Sequence, residues 1–336
     1  MLSRIAESLF WIGRYVERAE DTARILDVHI HHLLEAPVTS EADLCQSLLA
    51  IMGMSTHEAD DAAALEGLDS RDSASVNARA VTELLAFDVN NPCSIVSSLG
   101  AARANARGVS EAISSEMWEA LNVTYNSLPS QIDLGRRIAP YAFFRFVRER
   151  AAIIAGLTES TMSRDDAWRF MVLGRSLERV DMLARLLSTA VAGGDPSPDW
   201  VVLLRSCSAH EAFLRTYRRE PEPTPAAEFL LLDRLFPRSV FCALSTAEEC
   251  LAELDPRSNR AGMADESRRI LGHLRTNLEF RRIDDLVQDL PGLLDAVQKG
   301  CSSASASLAE RYFRQTSPIE WALEGSGLRT TPAAPR

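Results

Sequence analysis

Two stretches of this chain carry the same charged helical pattern, and together they call for a fold built on paired helices. Residues 8–26 read SLFWIGRYVERAEDTARIL and residues 169–187 read RFMVLGRSLERVDMLARLL. Both contain G-R-x-x-E-R-x-(E/D)-x-x-A-R-x-L, at an offset of 161. In the first, Leu2, Ile5, Leu9, Ile12, Val16, Ala19, Ala23, Leu26, Ile30 and Leu33 recur in steps of three and four. Such a seam predicts a long helix packed along another helix. Phe170, Leu173, Leu177, Val180, Ala184 and Leu187 repeat the seam, and the small alanines in both permit close approach. Pro37 ends the first helix, and Gly193-Gly194-Asp195-Pro196 ends the second.

A second element repeats in the same order. Residues 87–99 (FDVNNPCSIVSSL) and 232–244 (LDRLFPRSVFCAL) match at Asp88/Asp233, Pro92/Pro237, Ser94/Ser239 and Leu99/Leu244, at an offset of 145. This spacing is far longer than that of solenoid repeats. It predicts an all-α, multi-helix bundle built from two pseudo-symmetric, duplicated halves, about 1–155 and 160–310. Further helices are expected near 41–52, 73–87, 93–128 (broken near Gly108), 130–156, 199–219, 226–234, 238–254, 262–278 and 281–312. No run alternates as a strand would. Ser94 and Ser239 read as helix caps, and Pro92 and Pro237 fit at or just before a first turn. Residues 55–72 and 219–225 read as loops, and 325–336 as a disordered tail.

Gly13, Glu17, Glu20 and Arg24 share one strip beside the first seam, with Arg14, Arg18 and Asp21 further round. Gly174, Glu178, Asp181 and Arg185 form the matching strip, with Arg175 and Arg179 nearby. The bare glycines admit another backbone or a ligand. Two readings stand. In one, Glu–Arg pairs fix the register of a helix interface, with Glu20–Arg24 in the favourable i,i+4 order. In the other, the stripes face each other and line a polar cleft that holds a carboxylate or phosphate on arginine. Glu17 would then pair with Arg185, or Glu178 with Arg24, across the halves. Arg107, Glu116 and Asn122, in the polar stretch RANARGVSEAISSEMWEALN, are candidates for a further wall. The HIHH run at 29–32 lacks further ligands at metal-site spacing, and Ser94 and Ser239 have no histidine or GxSxG context as nucleophiles.

Composition removes several classes. The chain has 336 residues and a net charge of −11, which argues against nonspecific nucleic-acid binding. Lys299 is the only lysine, so lysine-dependent chemistry is nearly excluded and positive sites rest on arginine. Six cysteines without CxxC spacing indicate reduced thiols rather than a disulfide frame or zinc site. No apolar run suits a membrane span and no signal-peptide pattern opens the chain, so a cytoplasmic protein without membrane attachment, metal or cofactor is expected.

The segments MLSRIAESLFWIGRYVERAEDTARIL, NPCSI, NARGVSEAISSEMWEALN, WRFMVLGRSLERVDMLARLL and FLLLDRLFPRSV together resemble the bacterial alpha-E domain family, over about 1–315. Arg14, Glu17, Arg18, Arg24, Arg107, Glu116, Asn122, Arg175, Glu178, Arg179, Arg185 and Arg238 fall on matching positions, while Ser110 stands where the pattern calls for arginine. The resemblance implies partnership with circularly permuted ATP-grasp proteins and transglutaminase-like proteins in a system that makes or cleaves peptide or amide bonds. It implies an accessory helical protein that binds the ligase or its carboxylate- or phosphate-bearing substrate. Two alternatives remain open: an enzyme using Glu17 and Glu178 as acid/base groups or metal ligands, and a scaffold without ligand.

Overall fold

A computed structural model of the chain describes residues 1–35, 40–54, 77–137, 140–192, 199–255 and 265–313. Among these the fold is all helical, without strands. The first half holds α1 (Ser3–Glu35), α2 (Glu41–Ile51), α3 (Ala78–Thr82, continued by a π turn at Glu83–Phe87), α4 (Ile95–Gly108), α5 (Ser115–Arg137) and α6 (Pro140–Thr161). The second holds α7 (Asp166–Ala192), α8 (Trp200–Ser206), α9 (His210–Tyr217), α10 (Pro223–Leu232), α11 (Val240–Leu254), α12 (Glu266–Glu279), α13 (Ile283–Gln288) and α14 (Leu290–Leu308), closed by a π turn at Ala309–Phe313. The expected loop at 55–72 and tail at 325–336 lie outside the described residues.

The two seams sit at the centre. Leu9, Ile12, Ala19, Ala23 and Leu26 of α1 and Leu173, Leu177, Val180, Ala184 and Leu187 of α7 are fully buried, and α1 lies along α7. Each central helix is then covered in the same way. α4 and α6 pack on α1, with α5 against both; α11 and α14 pack on α7, with α12 against both. The central helices are therefore enclosed by more than one neighbour, which decides the fate of their charges.

The repeated D-x-x-x-P-x-S element builds the entry to each covering helix. Asp88 Oδ1 accepts from Asn90 N, and Asp233 Oδ1 accepts from Leu235 N, both at 2.8 Å. Ser94 Oγ accepts from Ser97 N at 3.1 Å, and Ser239 Oγ accepts from Cys242 N at 3.0 Å, each satisfying an orphan donor of a first turn. The cap reading of both serines holds.

Three boundaries differ from expectation. α5 runs through Pro129 to Arg137 rather than breaking near 128. Pro129 is exposed, so only a solvated carbonyl loses its partner, and the Ser127 and Ser130 hydroxyls donate to neighbouring helix carbonyls. The single helix expected over 199–219 is two, because Ser208 adopts a left-handed backbone (φ 56) between α8 and α9. The helix expected over 281–312 is interrupted at Asp289, so that α13 and α14 are separate.

Candidate functional site

The glycines of the two motifs mark the crossing point. A Cβ added to Gly13 would lie 2.1 Å from the Met171 carbonyl oxygen, and one added to Gly174 would lie 2.0 Å from that of Phe10. The backbones of α1 and α7 touch there, so the space left by each glycine is taken by the opposite helix, not by a ligand. Everything that follows in the two motifs is positioned by this contact.

One turn further along, the charges cross between the helices. Glu178 of α7 accepts from Arg14 Nε and Arg18 Nε of α1, each at 2.6 Å. Glu17 of α1 accepts from Arg179 Nε and Nη2 of α7 at 2.6 and 3.1 Å. The E-R dipeptide of each motif thus answers that of the other, and the Glu178 and Glu17 forks each receive charged donors on both oxygens. This corrects the expected partners Glu17–Arg185 and Glu178–Arg24. Arg24 pairs with Glu20 at 2.6 Å and Arg185 with Asp181 at 2.7 Å, each i,i+4 within its own helix. Both arginines lie eleven residues past the glycine of their own motif, too far along the axis to reach across.

Arg238 breaks the symmetry. It stands just before the cap of α11 and reaches α1, contacting Glu17 at 2.9 Å and Glu20 and Asp21 at 2.6 Å each. The aligned position in the first half is Cys93, and the aligned partner of Asp21 is Met182. The extra acid and the extra base therefore occur together, on one side only. The helical wheel places Asp21 beside Arg14 and Arg18 but gives it no part in the candidate site, because the second motif has no counterpart to it.

Burial sets the electrostatics. Glu17 is 3% exposed and Glu178 is 2% exposed, so neither lines an open strip as the wheel had suggested. Burial would raise the Glu17 carboxyl, but Arg238 and Arg179 outweigh it and hold the group at about 2. Glu178 is likewise raised by burial but held below the usual range by Arg14 and Arg18. Asp21 moves the other way: burial, with Glu17 and Glu20 adding repulsion, pushes it up to about 7 despite Arg238. Asp181 is also raised, first by burial. Arg14 further lies over Phe10 and Trp11, and Arg18 over Tyr15, so the guanidinium faces are covered too.

The free space is small. One cavity of about 20 Å³ is lined by Asp21, Arg179, Arg238 and Cys207, and another of about 20 Å³ by Gly13, Glu17, Glu20 and Arg175. Each has room for about one water. Arg175 itself turns away to Glu159, at 2.8 Å. Among the described residues, no three His, Cys, Asp or Glu side chains are grouped so as to hold a metal ion. His29 and His31 instead spend Nδ1 on the carbonyls of Ile25 and Asp27.

The remaining candidates lie elsewhere. Arg107 and Glu116 are exposed, and Asn122 accepts from Arg103, whose guanidinium stacks between Trp118 and Tyr125. α5 packs on α4 and α6, so this polar stretch forms a separate face and not a wall of the crossing.

No described helix is long and apolar enough to cross a membrane. No solved structure matches the chain. Uncharacterised proteins of Mycobacterium bovis and Mycobacterium tuberculosis are 25% identical over 296 residues, which is 84% of this chain and 33% of theirs. A further M. tuberculosis protein is 24% identical over the same extent. The chain thus spans about a third of the length of the curated relatives it matches. The Alpha-E family model, described as a predicted alpha-helical domain with a conserved ER motif, matches residues 1–313. The chain carries crossed Glu-Arg dipeptides at Glu17-Arg18 and Glu178-Arg179, and it belongs to the Alpha-E family.

Proposed function

We propose that this chain is a non-catalytic helical module of an ATP-grasp-linked system that forms peptide or amide bonds, and that it acts by binding the ligase or its carboxylate- or phosphate-bearing substrate. The observation that carries the non-catalytic part is the occupancy of the two motif glutamates. A general base must be free to take a proton near working pH. Glu17 is buried, holds two guanidiniums and titrates at about 2. Glu178 is equally enclosed by Arg14 and Arg18. Either would have to shed its arginines before acting on a substrate or a metal, at the cost of leaving those arginines buried and unpaired. The motif is better suited to fixing α1 against α7, leaving the outer surface for recognition.

Two further observations support a module that serves companions. In the mycobacterial relatives the matching stretch is a third of a longer polypeptide, an arrangement that keeps such a module beside other domains. The recurring D-x-x-x-P-x-S turns and the matched order of covering helices support descent by duplication, which builds a platform with two related faces. The ATP-grasp and transglutaminase-like partners follow from the family resemblance. The test is co-purification of the tagged chain with an ATP-grasp protein of the same organism, followed by ligase turnover with and without the chain. A stable complex with altered turnover is expected. No complex and no effect on turnover would refute the reading.

A further inference from the structure

A larger space lies away from the crossed motifs. A groove of about 540 Å³ runs between α12 and α14, within the size range of small-molecule sites. Its apolar lining comes from Ile270, Leu274, Leu293, Ala296 and Val297. Along one wall, Arg269, His273 and Asn277 recur at intervals of four in α12, a polar stripe over roughly 12 Å, and Arg281 follows two residues past the helix end. The shape is that of a slot between two helices, apolar inside and lined with donors along one edge.

One end of the stripe is unsatisfied. Arg269 is engaged by Glu266 in a two-pronged pair. The side chain of Arg281, which is partly exposed, has no hydrogen-bond or ion-pair partner among the described residues, and its Nη1 is buried. A permanently charged donor left buried without a partner is costly, and such groups in native proteins call for an explanation. The corresponding helix pair in the first half is α5 and α6. There Phe143, Phe144, Val147 and Leu128 are buried, and Arg150 is spent on Thr124 Oγ1 at 2.8 Å and the Ala120 carbonyl at 3.0 Å.

We infer that the α12–α14 groove binds an oxyanion with an elongated apolar body, its head on Arg281 and its chain along Leu274, Leu293 and Val297. The head is a carboxylate or a phosphoryl group, both of which match the guanidinium fork. Asp289 also lines the groove and opposes an anion. Its carboxylate, however, folds back over the first turn of its own helix, where only the missing side chain of Gly292 makes room for it. The site is independent of the reading given above for the crossed motifs, since it shares no residue with them.

The test is calorimetric titration of the full chain with decanoate and decyl phosphate, with decanol and acetate as controls lacking the head or the body. Saturable binding at one site is expected for at least one of the two anions, with decanol and acetate weaker by about tenfold or more. The tighter of the two anions identifies the head group. Arg281→Gln should weaken binding by about tenfold. Ala296→Trp, at an exposed position, should abolish it by filling the slot while the chain stays folded. Asp289→Asn should tighten binding by removing the opposing charge. Absence of binding by both anions would overturn the inference, as would unchanged affinity in both Arg281→Gln and Ala296→Trp. A loss of anion affinity in Asp289→Asn would overturn the placement of the head on Arg281 with Asp289 opposing it.

Discussion

Replacing glycine by alanine inside a helix normally stabilises a protein, and at Gly13 it should do the opposite. The helix-propensity gain is about 1 kcal/mol. At Gly13 the added Cβ would sit 2.1 Å from the Met171 carbonyl oxygen, whereas ordinary contact begins at 3.4 Å. The obstacle is backbone, which cannot swing aside as a side chain would. α1 and α7 must therefore separate locally by roughly 1.3 Å, the difference between those two distances. Overpacking of this kind costs about 1–3 kcal/mol and occasionally more. The same separation stretches the 2.6 Å pairs of Glu178 with Arg14 and Arg18, and that of Glu17 with Arg179. We expect a net loss of about 2 kcal/mol for Gly13→Ala, and a similar loss for Gly174→Ala. The double variant should lose less than the sum, because one displacement relieves both clashes. Gly156→Ala in α6 is the control: nothing lies within 4 Å of its Cβ position, so it should gain about 0.5–1 kcal/mol. Chemical denaturation of the four variants reads these values. A Gly13→Ala protein stabilised to the same degree as Gly156→Ala would refute the backbone contact on which the site's geometry depends.

Two further outcomes follow from the same structure. Asp21 titrates at about 7 when folded against an ordinary 3.8, so the folded state binds its proton more tightly than the unfolded state does. Its ionisation therefore costs stability above about 7 and nothing below about 4, and the unfolding free energy should rise as pH falls from about 7 to about 4. Glu17, held at about 2, contributes in the opposite sense and is lost only as pH falls from about 4.5 through 2. Asp21→Asn should flatten the upper window; a slope unchanged in that variant would show that other groups set it. Removing the repeated caps, by Ser94→Ala or Ser239→Ala, should each cost about 1 kcal/mol by denaturation. A zero effect at either would show that water replaces the hydroxyl.

What could be read in the chain, and what could not, divides along the range of each interaction. The seams Leu9–Ile12–Ala19–Ala23 and Leu173–Leu177–Val180–Ala184 are one-dimensional patterns, and they lie in the core as their spacing requires. The caps at Ser94 and Ser239 act over three residues and were equally legible. The ion pairs were not, because they depend on where two helices cross and on a third element. A helical wheel put Arg14 and Arg18 away from the strip, yet the arginine stem is long enough to reach Glu178 from there. Burial of Glu17 and Glu178 follows from coverage of α1 and α7 by several helices, which no wheel of a single helix contains. Asp21 became visible only with Arg238, over two hundred residues away, beside it. The break at Ser208 was hidden because a non-glycine residue takes the left-handed backbone there.

We propose that the Glu-Arg dipeptides at 17–18 and 178–179 form a closed clamp between α1 and α7 rather than a catalytic pair. The most direct measurement is a double-mutant cycle of unfolding free energies for Glu178→Gln, Arg18→Gln and the double variant. Glu178→Gln leaves Arg14 and Arg18 without their carboxylate in a buried place, which predicts a loss of about 3–5 kcal/mol. The coupling between the two positions should exceed about 1 kcal/mol, so the double variant should be more stable than additivity allows. A Glu178→Gln protein as stable as the parent, or more so, with no coupling to Arg18 is what a site held under strain for chemistry would show. That result would contradict the clamp.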